Sequence, residues 1–363
     1  MSEFHMSRPT YADIRLDHLV HNYRLAKAHH GGNALATIKA NAYGHGAIQC
    51  AEALHEEADG FAVAAIEEAI QLRKAGVTKP ILLLEGFFEA AELELINQYN
   101  FWTAVHHRWQ VDAILAASLK APLNVWLKMD SGMHRVGLHP QEYATAYREL
   151  QQSGKVSNIV KMTHFARADE PNHPATTQQI KTFEQGTEGL GGDSSICNSP
   201  AILAWSDAYR HWARPGIMLY GATPFAEAQP LASQLKPVMQ LTAGIISVRE
   251  LEAGEPIGYG ARFITERPTK VGVVSCGYAD GYPRLAQTGT PVMIDGQPSR
   301  LIGRVSMDML TVDLTNIAGA GIGSRVELWG DHIPVSTVAE SAGTIPYEIL
   351  CNIKRAHFRY SGV

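Results

Sequence analysis

The feature that most constrains the fold is a regular alternation of short apolar runs with stretches of helical spacing between residues 35 and 219. Short apolar runs bounded by turn residues predict buried strands, and apolar residues repeated every three or four positions predict helices. The predicted strands are 35–39, 61–64, 81–84, 101–105, 123–128, 160–164, 194–197 and 212–219. The predicted helices between them are 46–57, 66–75, 90–99, 109–119, 140–152, 177–188 and a last one that starts at Pro200.

Eight strand–helix repeats in this length predict a (β/α)8 barrel of the TIM type, which usually occupies about 250 residues. The alternative is an open, doubly wound parallel sheet, which normally carries a GxGxxG loop after its first strand. The residues from Ala42 to Gly46, which follow the first predicted strand, do not supply that loop. The predicted fold class is therefore α/β, with an N-terminal barrel.

From about residue 233 the pattern changes to short β-rich runs separated by Gly, Pro and Asp turns. The runs are 238–248, 270–275, 291–294, 300–305, 310–313 and 325–328, with helices at 335–342 and 347–352. This spacing predicts a second, mostly antiparallel β domain. We therefore assign residues 12–232 to the barrel and 233–363 to a C-terminal, mostly-β domain, to which residues 8–14 contribute a strand. Residues 1–6, with a second Met at position 6, are interpreted as a remnant of an expression vector.

Charge and cysteine usage exclude several function classes. A formal net charge of −5 and the lack of any Lys/Arg-rich run argue against nucleic-acid binding. No apolar run approaches the roughly 20 residues that span a bilayer, and the N-terminus has neither the basic nor the apolar region of a signal peptide. The four scattered cysteines are typical of reduced thiols in the cytoplasm, and they indicate neither a disulfide framework nor a zinc site. We predict a cytoplasmic protein without a metal site.

Chemically able side chains fall where five of the predicted barrel strands end. They are Lys39, Lys128 followed by Arg135, His164, Ser199 and Arg214. Each alone has a structural explanation, such as a core histidine or a surface ion-pair partner. The carboxyl ends of barrel strands meet at one rim, however, and active sites of such barrels lie there. Because packing alone does not explain polar groups on five strands at the same rim, this rim is the predicted active site.

The segment around Ser199 carries a helix-start signal. Ser199 is a good N-cap, and Pro200 suits the first helical position, where its missing N–H is not needed. A helix start after the seventh strand, beside the glycine turn at Gly216, is where such barrels usually bind phosphate. A phosphate site together with a nucleophilic lysine at position 39 predicts pyridoxal 5′-phosphate (PLP) as the cofactor.

Seven motifs, in order along the chain, carry a resemblance to a known family. They are IKANAYGHG at residues 38–46, KMDSGMHRVG at 128–137, HFA at 164–166, ARPGIMLYG at 213–221, GYG at 258–260, GYADG at 277–281 and GRVSMD at 303–308. In these motifs the chain resembles the bacterial alanine racemases, PLP enzymes with an N-terminal barrel and a C-terminal β domain. The resemblance covers essentially the whole chain after the first few residues. It implies an isomerase that interconverts L-alanine and D-alanine.

The resemblance also implies which residues act at the reacting carbon. Lys39 would hold PLP and act as one base, and Tyr259 from the partner subunit of a head-to-tail homodimer would act on the opposite face. A phenol is a weak base at neutral pH, so His164 and Arg214 are expected to favour its phenolate through a chain that runs back to the cofactor. An arginine at the pyridine nitrogen cannot give up a proton, so Arg214 would keep that nitrogen neutral and limit side reactions such as transamination.

The remaining assigned residues are implied to bind cofactor or substrate. Contacts with PLP are assigned to Tyr43, Arg135, Ser199, Gly216, Ile217 and Tyr347. Substrate contacts are assigned to Arg135 and, from the partner subunit, to Met307 and Asp308. Lys128 matches a position that many family members carry as an N-carboxylated lysine, whose negative charge would orient Arg135, whereas a plain lysine would repel it. The entry path would be lined by Asp169, Tyr278, Arg284 and Arg304.

Three alternatives remain beside alanine racemisation. A racemase of serine or lysine, or one of broad specificity, would share the motifs, although Tyr347 and Met307 favour a pocket for a methyl group. PLP decarboxylases of basic amino acids share the two-domain design but bring a cysteine, rather than a residue such as Tyr259, opposite the lysine. A single-barrel PLP-binding protein would leave about 130 C-terminal residues unexplained. Two cellular roles are also open, namely supply of D-alanine as a peptidoglycan precursor and catabolism of alanine.

Overall fold

The computed structural model describes residues 7–362 and divides them into two compact units. One unit comprises residues 19–236, and the other comprises residues 7–18 together with 237–362. The first strand, β1 (Thr10–Arg15), belongs to the second unit, and helix α1 (Leu16–His30) follows it. The sequence analysis assigns residues 12–232 to the barrel and a strand at 8–14 to the second domain, and in the structure β1 pairs with a strand that begins at Met239. The predicted vector remnant, residues 1–6, lies outside the described residues.

Residues 19–236 form a barrel of eight parallel strands. The strands are β2 (Asn33–Thr37), β3 (Gly60–Val63), β4 (Ile81–Leu83), β5 (Trp102–Val105), β6 (Leu123–Lys128), β7 (Val156–Met162), β8 (Ser194–Ser195) and β9 (Trp212–Ala213). Consecutive strands from β2 to β8 pair in parallel, and β2 also pairs in parallel with β9. A parallel bridge between Cys197 and Ala213 joins the chain after β8 to β9 and closes the ring. The predicted (β/α)8 barrel is therefore confirmed.

Helices connect successive strands of the barrel. They are α2 (Lys39–Gly44, a left-handed turn described below), α3 (Ala47–Ala53), α4 (Ile66–Lys74), α5 (Glu92–Gln98), α6 (Arg108–Ala116), α7 (Pro140–Gln152), α8 (Ala175–Gly186) and α9 (Ser199–Ala204). A 3₁₀ turn, Ile217–Tyr220, follows β9. Helix α7 has the predicted bounds because Pro140 occupies its first turn, where a proline is well suited to start a helix.

The barrel interior is filled by apolar side chains from successive strands. The buried members of this cluster are Leu35, Ala62, Leu82, Ala104, Trp126, Val160 and Met162. Three indole rings, those of Trp102, Trp126 and Trp212, pack against one another with centroids 5.5–6.1 Å apart. Since the interior is a packed core and not a pore, the chemistry of the barrel is left to the loops at its rim.

The second unit is built mainly of β-strands. Its strands after β1 are β10 (Met239–Leu251), β11 (Pro256–Ile257), β12 (Phe263–Ile264), β13 (Thr269–Val274), β14 (Pro291–Ile294), β15 (Gln297–Arg300), β16 (Leu310–Asp313), β17 (Arg325–Trp329) and β18 (His357–Ser361). Two short helices, α10 (Val335–Ser341) and α11 (Pro346–Cys351), lie before β18. The sheet order is β15-β14-β17-β10-β1-β18, with β13 paired to β10 and β16. The predicted mostly-β C-terminal architecture is confirmed.

Two strand predictions are corrected by the structure, and one strand, β18, was not predicted. The last barrel strand ends at Ala213 and not at 219, because Pro215 has no N–H to donate and the chain turns into the 3₁₀ segment at Ile217. The run predicted at 300–305 is instead β15, which ends at Arg300, and the chain turns at Gly303 with φ of 78°. Strand β18 is five residues long, and its place is set by parallel pairing with β1. In the described part of the chain, no helix is long and apolar enough to cross a bilayer.

Candidate functional site

The carboxyl-end rim of the barrel brings together the cationic side chains that the sequence places at strand ends. Lys39 follows β2 after one residue, Lys128 is the last residue of β6, and Arg214 comes directly after β9. His164 lies two residues beyond β7. Charge interactions of Arg214, Arg135 and Lys39 act on both Lys128 and His164, which shows that these five groups share one region. The rim is therefore a strongly cationic site.

The backbone after Lys39 is unusual. Ala40, Asn41, Ala42 and Tyr43 all have positive φ, between 51° and 54°, with ψ between 40° and 51°, which is one turn of left-handed helix. Left-handed conformation costs about 1–2 kcal/mol for each residue with a side chain, so the turn is a site of stored strain. Surrounding contacts hold it: the Ala40 N–H donates to Glu68 Oε1 at 2.6 Å. The turn fixes the directions in which Lys39 and Tyr43 leave the backbone.

Ser199 lies at the centre of a small cluster of hydrogen-bond donors. Its Oγ accepts from the backbone N–H of Gly216 at 2.8 Å and from that of Met218 at 3.3 Å. A Cβ added to Gly216 would lie 2.8 Å from the Tyr43 hydroxyl and 3.8 Å from Ser199 Oγ. The missing side chain thus leaves a cradle between two hydroxyls and two backbone N–H groups. This donor set suits a phosphate group.

The helix cap beside this cluster differs from the predicted one. Asn198 is the N-cap of α9, because its side chain accepts from the Ala201 N–H at 3.2 Å. Ser199 occupies the first helical position and is buried, so its hydroxyl faces the Gly216 turn. Ile217, also buried, starts the 3₁₀ turn that follows. The prediction of Ser199 as cap was wrong because two adjacent residues are both good caps by type.

Arg214 is a buried arginine, 4% exposed, whose partners are carbonyl and hydroxyl oxygens. Nη1 donates to the Ser195 carbonyl at 2.8 Å and to the Ser195 hydroxyl, and Nη2 donates to the Thr163 carbonyl at 2.7 Å. Burial lowers the pKa of Arg214 to about 10, which leaves the guanidinium charged at neutral pH. The side chain therefore presents a permanent, desolvated cation at the rim.

His164 is held beside Arg214. Nη2 of Arg214 lies 3.5 Å from His164 Nδ1, and because a guanidinium can only donate, Nδ1 is the acceptor of this long contact. Desolvation, and then the charges of Arg214, Lys128, Arg135 and Lys39, hold the pKa of His164 well below its ordinary value. The imidazole is therefore neutral at physiological pH, with its proton on Nε2. It is arranged to donate one hydrogen bond away from Arg214.

A buried network of polar side chains holds the backbone near His164 and Arg214. Gln179 Nε2 donates to the His164 carbonyl at 3.1 Å, and its Oε1 accepts from the Ala166 N–H at 2.9 Å. Thr163 Oγ1 lies 2.8 Å from Ser131 Oγ and donates to the Met129 carbonyl at 2.9 Å. The network ties the loop after β6 to the loop after β7, so the backbone that carries His164 is fixed.

Lys128 is buried, at 7% exposed, in this cationic surrounding. Desolvation, followed by the charges of Arg214, Arg135 and Lys39, lowers its pKa to about 8. Arg135 itself is exposed, on the loop between β6 and α7. A lysine with such a pKa is partly a neutral amine near neutral pH, so it can act as a nucleophile.

The other predicted site residues in the second unit lie on exposed turns and loops. Tyr259 is 71% exposed in the turn between β11 and β12, between Gly258 (φ 67°) and Gly260 (φ 73°). Met307 is 53% exposed, and Asp308 and Arg284 are also exposed. Half-buried members are Tyr278, Arg304 and Tyr347, the last in α11. Asp169, predicted for the entry path, is exposed in the barrel unit.

An ion-pair network built on a buried carboxylate supports the loop of Met307 and Asp308. Asp280 is 1% exposed and accepts from both terminal nitrogens of Arg8, at 2.5 and 2.7 Å. Arg355 lies 3.4 Å from the Asp280 carboxylate and donates to Asp308 at 2.7 Å. The Ala279 N–H donates to the Met307 carbonyl at 2.9 Å. These bonds hold an exposed loop in one conformation.

Several residues of the site carry no separate sequence prediction. Thr163 and Ser195 contact Arg214 through oxygens that any residue or any hydroxyl could supply, so the sequence gives no signal for them. Tyr220 packs on Tyr43, His45 packs on Tyr220, and both His45 and Tyr220 lie inside motifs already quoted. In those motifs His45 lies between two glycines and Tyr220 lies beside one. This position was the available signal that the two residues belong to the site.

The barrel rim fits a PLP molecule by its chemistry. Lys39 offers a primary amine, and the cradle at Gly216 offers hydrogen-bond donors for a phosphate. Arg214 offers a charged, buried donor at the rim. Among residues 7–362, no group of three or more His, Cys, Asp or Glu side chains is arranged to bind a metal ion. The cysteines Cys50, Cys197, Cys276 and Cys351 are free thiols.

Comparisons with known proteins show which family the chain matches. The family model of the alanine racemase N-terminal domain matches residues 14–224, and that of the alanine racemase C-terminal domain matches residues 238–360. The chain is 61% identical to the catabolic alanine racemase of Pseudomonas aeruginosa, over 98% of this chain and 99% of that protein. It is 58% identical to the alanine racemase of an Azoarcus species, over 98% of this chain and 100% of that protein.

Solved structures show the same similarity. The biosynthetic alanine racemase of Pseudomonas aeruginosa superposes with a TM-score of 0.95 at 48% identity, covering 98% of this chain and 99% of that one. The alanine racemase of Bartonella henselae, solved with covalently bound pyridoxal phosphate, superposes with a TM-score of 0.88 at 31% identity, covering 97% of this chain and 99% of that one.

We predict that the protein loses stability as the pH falls from about 6.5 to about 4. Burial lowers the pKa of His30 and of His45 from 6.5 to about 4, and the pKa of His164 is also lowered. Between these pH values the unfolded chain binds protons that the folded chain does not, so acid favours unfolding. Each fully buried histidine contributes a slope of about 1.4 kcal/mol per pH unit.

The measurement is the free energy of unfolding from urea titrations at several pH values across this range. His30→Asn should reduce the slope by about one histidine's share, about 1.4 kcal/mol per pH unit. His55→Asn, at an exposed histidine, should leave the slope unchanged. An unaltered slope in His30→Asn would contradict the assignment.

Proposed function

Because the chain belongs to the alanine racemase family, we propose that it interconverts L-alanine and D-alanine with PLP, using Lys39 and the partner subunit's Tyr259 as bases on opposite faces of Cα. The observation that carries this proposal is the buried, charged Arg214 with neutral His164 beside it, at the rim where Lys39 emerges. A racemase needs a proton acceptor on one face of Cα and a proton donor on the other. Lys39, together with the Arg214–His164 pair, would support both roles.

The cofactor would be held mainly by residues of the barrel rim, together with Tyr347 of the second unit. Lys39 would bind it covalently; the other contacts would come from Tyr43, Arg135, Ser199, Gly216, Ile217 and Tyr347. When bound, PLP withdraws electrons from the amino acid and so makes the Cα proton acidic. The hydroxyls of Tyr43 and Ser199, beside the backbone N–H of Gly216, would bind and orient the phosphate.

Arg214 would face the pyridine nitrogen of the cofactor. Its guanidinium can only donate, and it stays charged with a pKa of about 10. A nitrogen that accepts from such a donor does not itself take up a proton, so the ring remains a weak electron acceptor. With a weak electron acceptor, Cα would stay deprotonated for a shorter time. Return of a proton to Cα would then be favoured over transamination or decarboxylation.

Each of the two bases transfers protons on one face of Cα. The amine of Lys39 accepts or returns a proton on one face of Cα, and the hydroxyl of Tyr259 does so on the other. His164 is neutral with a free Nε2–H, and a hydrogen bond from that nitrogen to the phenolic oxygen would favour the phenolate. Racemisation follows because a proton removed on one face is replaced from the other.

We further propose that Lys128 is N-carboxylated. Its buried amine lies among Arg214, Arg135 and Lys39, and its pKa of about 8 makes it nucleophilic toward CO2 near neutral pH. The amine nitrogen forms a bond to the carbon of CO2 and releases one proton to solvent. The resulting carbamate is anionic, so it compensates the cationic cluster and orients Arg135 through a charge-assisted hydrogen bond.

Substrate recognition would use Arg135 for the carboxylate of the amino acid, together with Met307 and Asp308 of the partner subunit. The half-buried Tyr347 and the Met307 side chain would limit the pocket to a methyl group. Arg284 and Arg304, with Tyr278 and Asp169, would line the entry path, where positive charge attracts anionic carboxylates. Homodimerisation would then be required for a complete site.

We also propose that the enzyme works in the cytoplasm, where it either supplies D-alanine as a peptidoglycan precursor or takes part in the catabolism of alanine. The four free thiols support the compartment. Relatives of both kinds match the chain: a catabolic alanine racemase at 61% identity and a biosynthetic one at 48% identity. A deletion strain that requires D-alanine for growth supports the biosynthetic role; one that loses only growth on alanine as carbon source shows the catabolic role instead.

The proposed activity is tested by incubating the PLP-loaded protein with L-alanine in D2O. We expect D-alanine that carries deuterium at Cα, resolved on a chiral column with mass detection, because the two bases exchange protons with solvent. Unchanged L-alanine with visible bound PLP would overturn the alanine assignment; L-serine and L-lysine are run in parallel to detect other specificities. Release of CO2 from a basic amino acid would identify a decarboxylase.

The shared site is tested by mixing two inactive variants. Tyr259→Phe should lower kcat by about 10²–10⁴-fold, the usual worth of a general base, and Lys39→Ala should abolish activity. A mixed dimer of the two holds one site with both native bases if Tyr259 acts in the partner's site. Activity should therefore reappear after unfolding and refolding the two variants together. No recovery, despite mixed dimers shown by mass, would mean that both bases come from one subunit.

The carbamate on Lys128 is tested with ¹³C-bicarbonate and NMR. We expect one slowly exchanging carbamate resonance in the parent protein that is absent from Lys128→Met. Lys161 is a matched control: it is also a buried strand lysine, but its Nζ donates to the Leu190 and Gly191 carbonyls at 2.7 Å. Lys161→Met should keep the resonance. A parent spectrum without it would show that Lys128 is unmodified.

A further inference from the structure

His45 is a fully buried histidine, 0% exposed, that directly follows the left-handed turn. Its Nδ1 lies 2.9 Å from the Tyr43 carbonyl oxygen and 3.0 Å from the Ala42 carbonyl oxygen. Because both partners can only accept, Nδ1 carries the ring proton and donates to the last two residues of the turn. The imidazole thus binds the backbone of the segment that positions Tyr43.

The His45 ring also belongs to a stack of aromatic side chains. It packs on the Tyr220 ring with centroids 4.5 Å apart, and Tyr220 packs on Tyr43 with centroids 4.7 Å apart, both at 29°. The Tyr220 hydroxyl donates to the carbonyl of Thr37, the last residue of β2, at 2.8 Å. His45 and Tyr220 therefore connect the end of β2, just before Lys39, with Tyr43 just after it.

The second ring nitrogen of His45 is not stabilised in this position. Nε2 is buried and has no hydrogen-bond partner among the residues that the structure describes. Burial also lowers the pKa of His45 to about 4, so the ring is neutral. An apolar side chain would avoid the penalty of an unpaired buried nitrogen. The feature that an apolar residue could not supply is the Nδ1–H donor on a flat ring.

We propose that His45 is a positioning residue of the cofactor site, whose Nδ1–H holds the left-handed turn and thereby fixes the Lys39 amine and the Tyr43 hydroxyl for binding PLP. The turn contains four consecutive non-glycine residues in a conformation that they seldom adopt, so its carbonyls need a donor that keeps them in place. This inference rests on the proposed PLP site. It assigns to the histidine of the IKANAYGHG motif a role distinct from contact with cofactor or substrate.

The test compares two substitutions that place a donor differently. The side-chain amide nitrogen of His45→Asn occupies about the place of Nδ1, whereas that of His45→Gln reaches toward Nε2 and away from the two carbonyls. His45→Leu removes the donor and keeps the apolar volume. His30→Leu is the matched control, since His30 is likewise buried, has a lowered pKa and packs on a tyrosine, Tyr209, at 5.3 Å.

The readout is the dissociation constant of PLP, measured by equilibrium dialysis of each purified holoenzyme against graded PLP concentrations and by the absorbance of the bound cofactor. We expect affinity to fall by about tenfold or more in His45→Leu and His45→Gln, as the loss of one buried donor implies. His45→Asn and His30→Leu should stay within a few fold of the parent. If His45→Leu does not fold, the comparison of His45→Gln with His45→Asn still decides.

Parent-like affinity in both His45→Leu and His45→Gln would overturn the proposal, as would equal losses in His45→Asn and His45→Gln. The parent protein separates this failure from failure of the proposed function. A parent that binds no PLP would contradict the PLP site itself. A parent that binds PLP and racemises alanine, while the His45 variants bind PLP equally well, would contradict only the role of His45.

Discussion

The guanidinium of Arg214 is the interaction on which the rim of the barrel depends. Strands β8 and β9 contribute only two residues each, so their backbone ladders are too short to fix the rim. Arg214 reinforces these short ladders by donating to Ser195 of β8 and to Thr163 just after β7. A buried charge of this kind requires such acceptors in return. The side chain that reinforces the closing strands is therefore also the cation that, after desolvation, most lowers the pKa of Lys128 and of His164.

How far the sequence predicts the site depends on whether a feature is local. Lys128 ends β6 and Pro140 starts α7 as predicted, because apolar runs and proline positions are local signals. The left-handed turn of Ala40–Tyr43 could not be predicted, since local preference disfavours it and only tertiary contacts such as that to Glu68 retain it. The roles of Tyr259 and Lys128 came from family resemblance, and they stay predictions until tested.

Long-range pairing limits prediction of the second unit in another way. Strand β1 has the apolar alternation of any half-buried strand, but its partners are separated from it by more than two hundred residues: Thr10 pairs with Ala243, and Tyr11 with His357. The network around Asp280 is similar, because Arg8 is 272 residues away in sequence. The sequence predicts a strand at residues 8–14 in this domain, but no periodic or motif signal identifies the partners of that strand or of Arg8. Both are decided by which edges and charges meet after the chain has folded.

The position of β1 has a consequence for how the protein is made on the ribosome. Strand β1 leaves the exit tunnel well before β10 and β18, the two strands between which it lies. At about 5–20 residues per second, its backbone waits tens of seconds for a partner. An unpaired strand of alternating apolar residues is prone to pair with other chains during that time. The sheet of the second unit is therefore completed only after β18 has been synthesised.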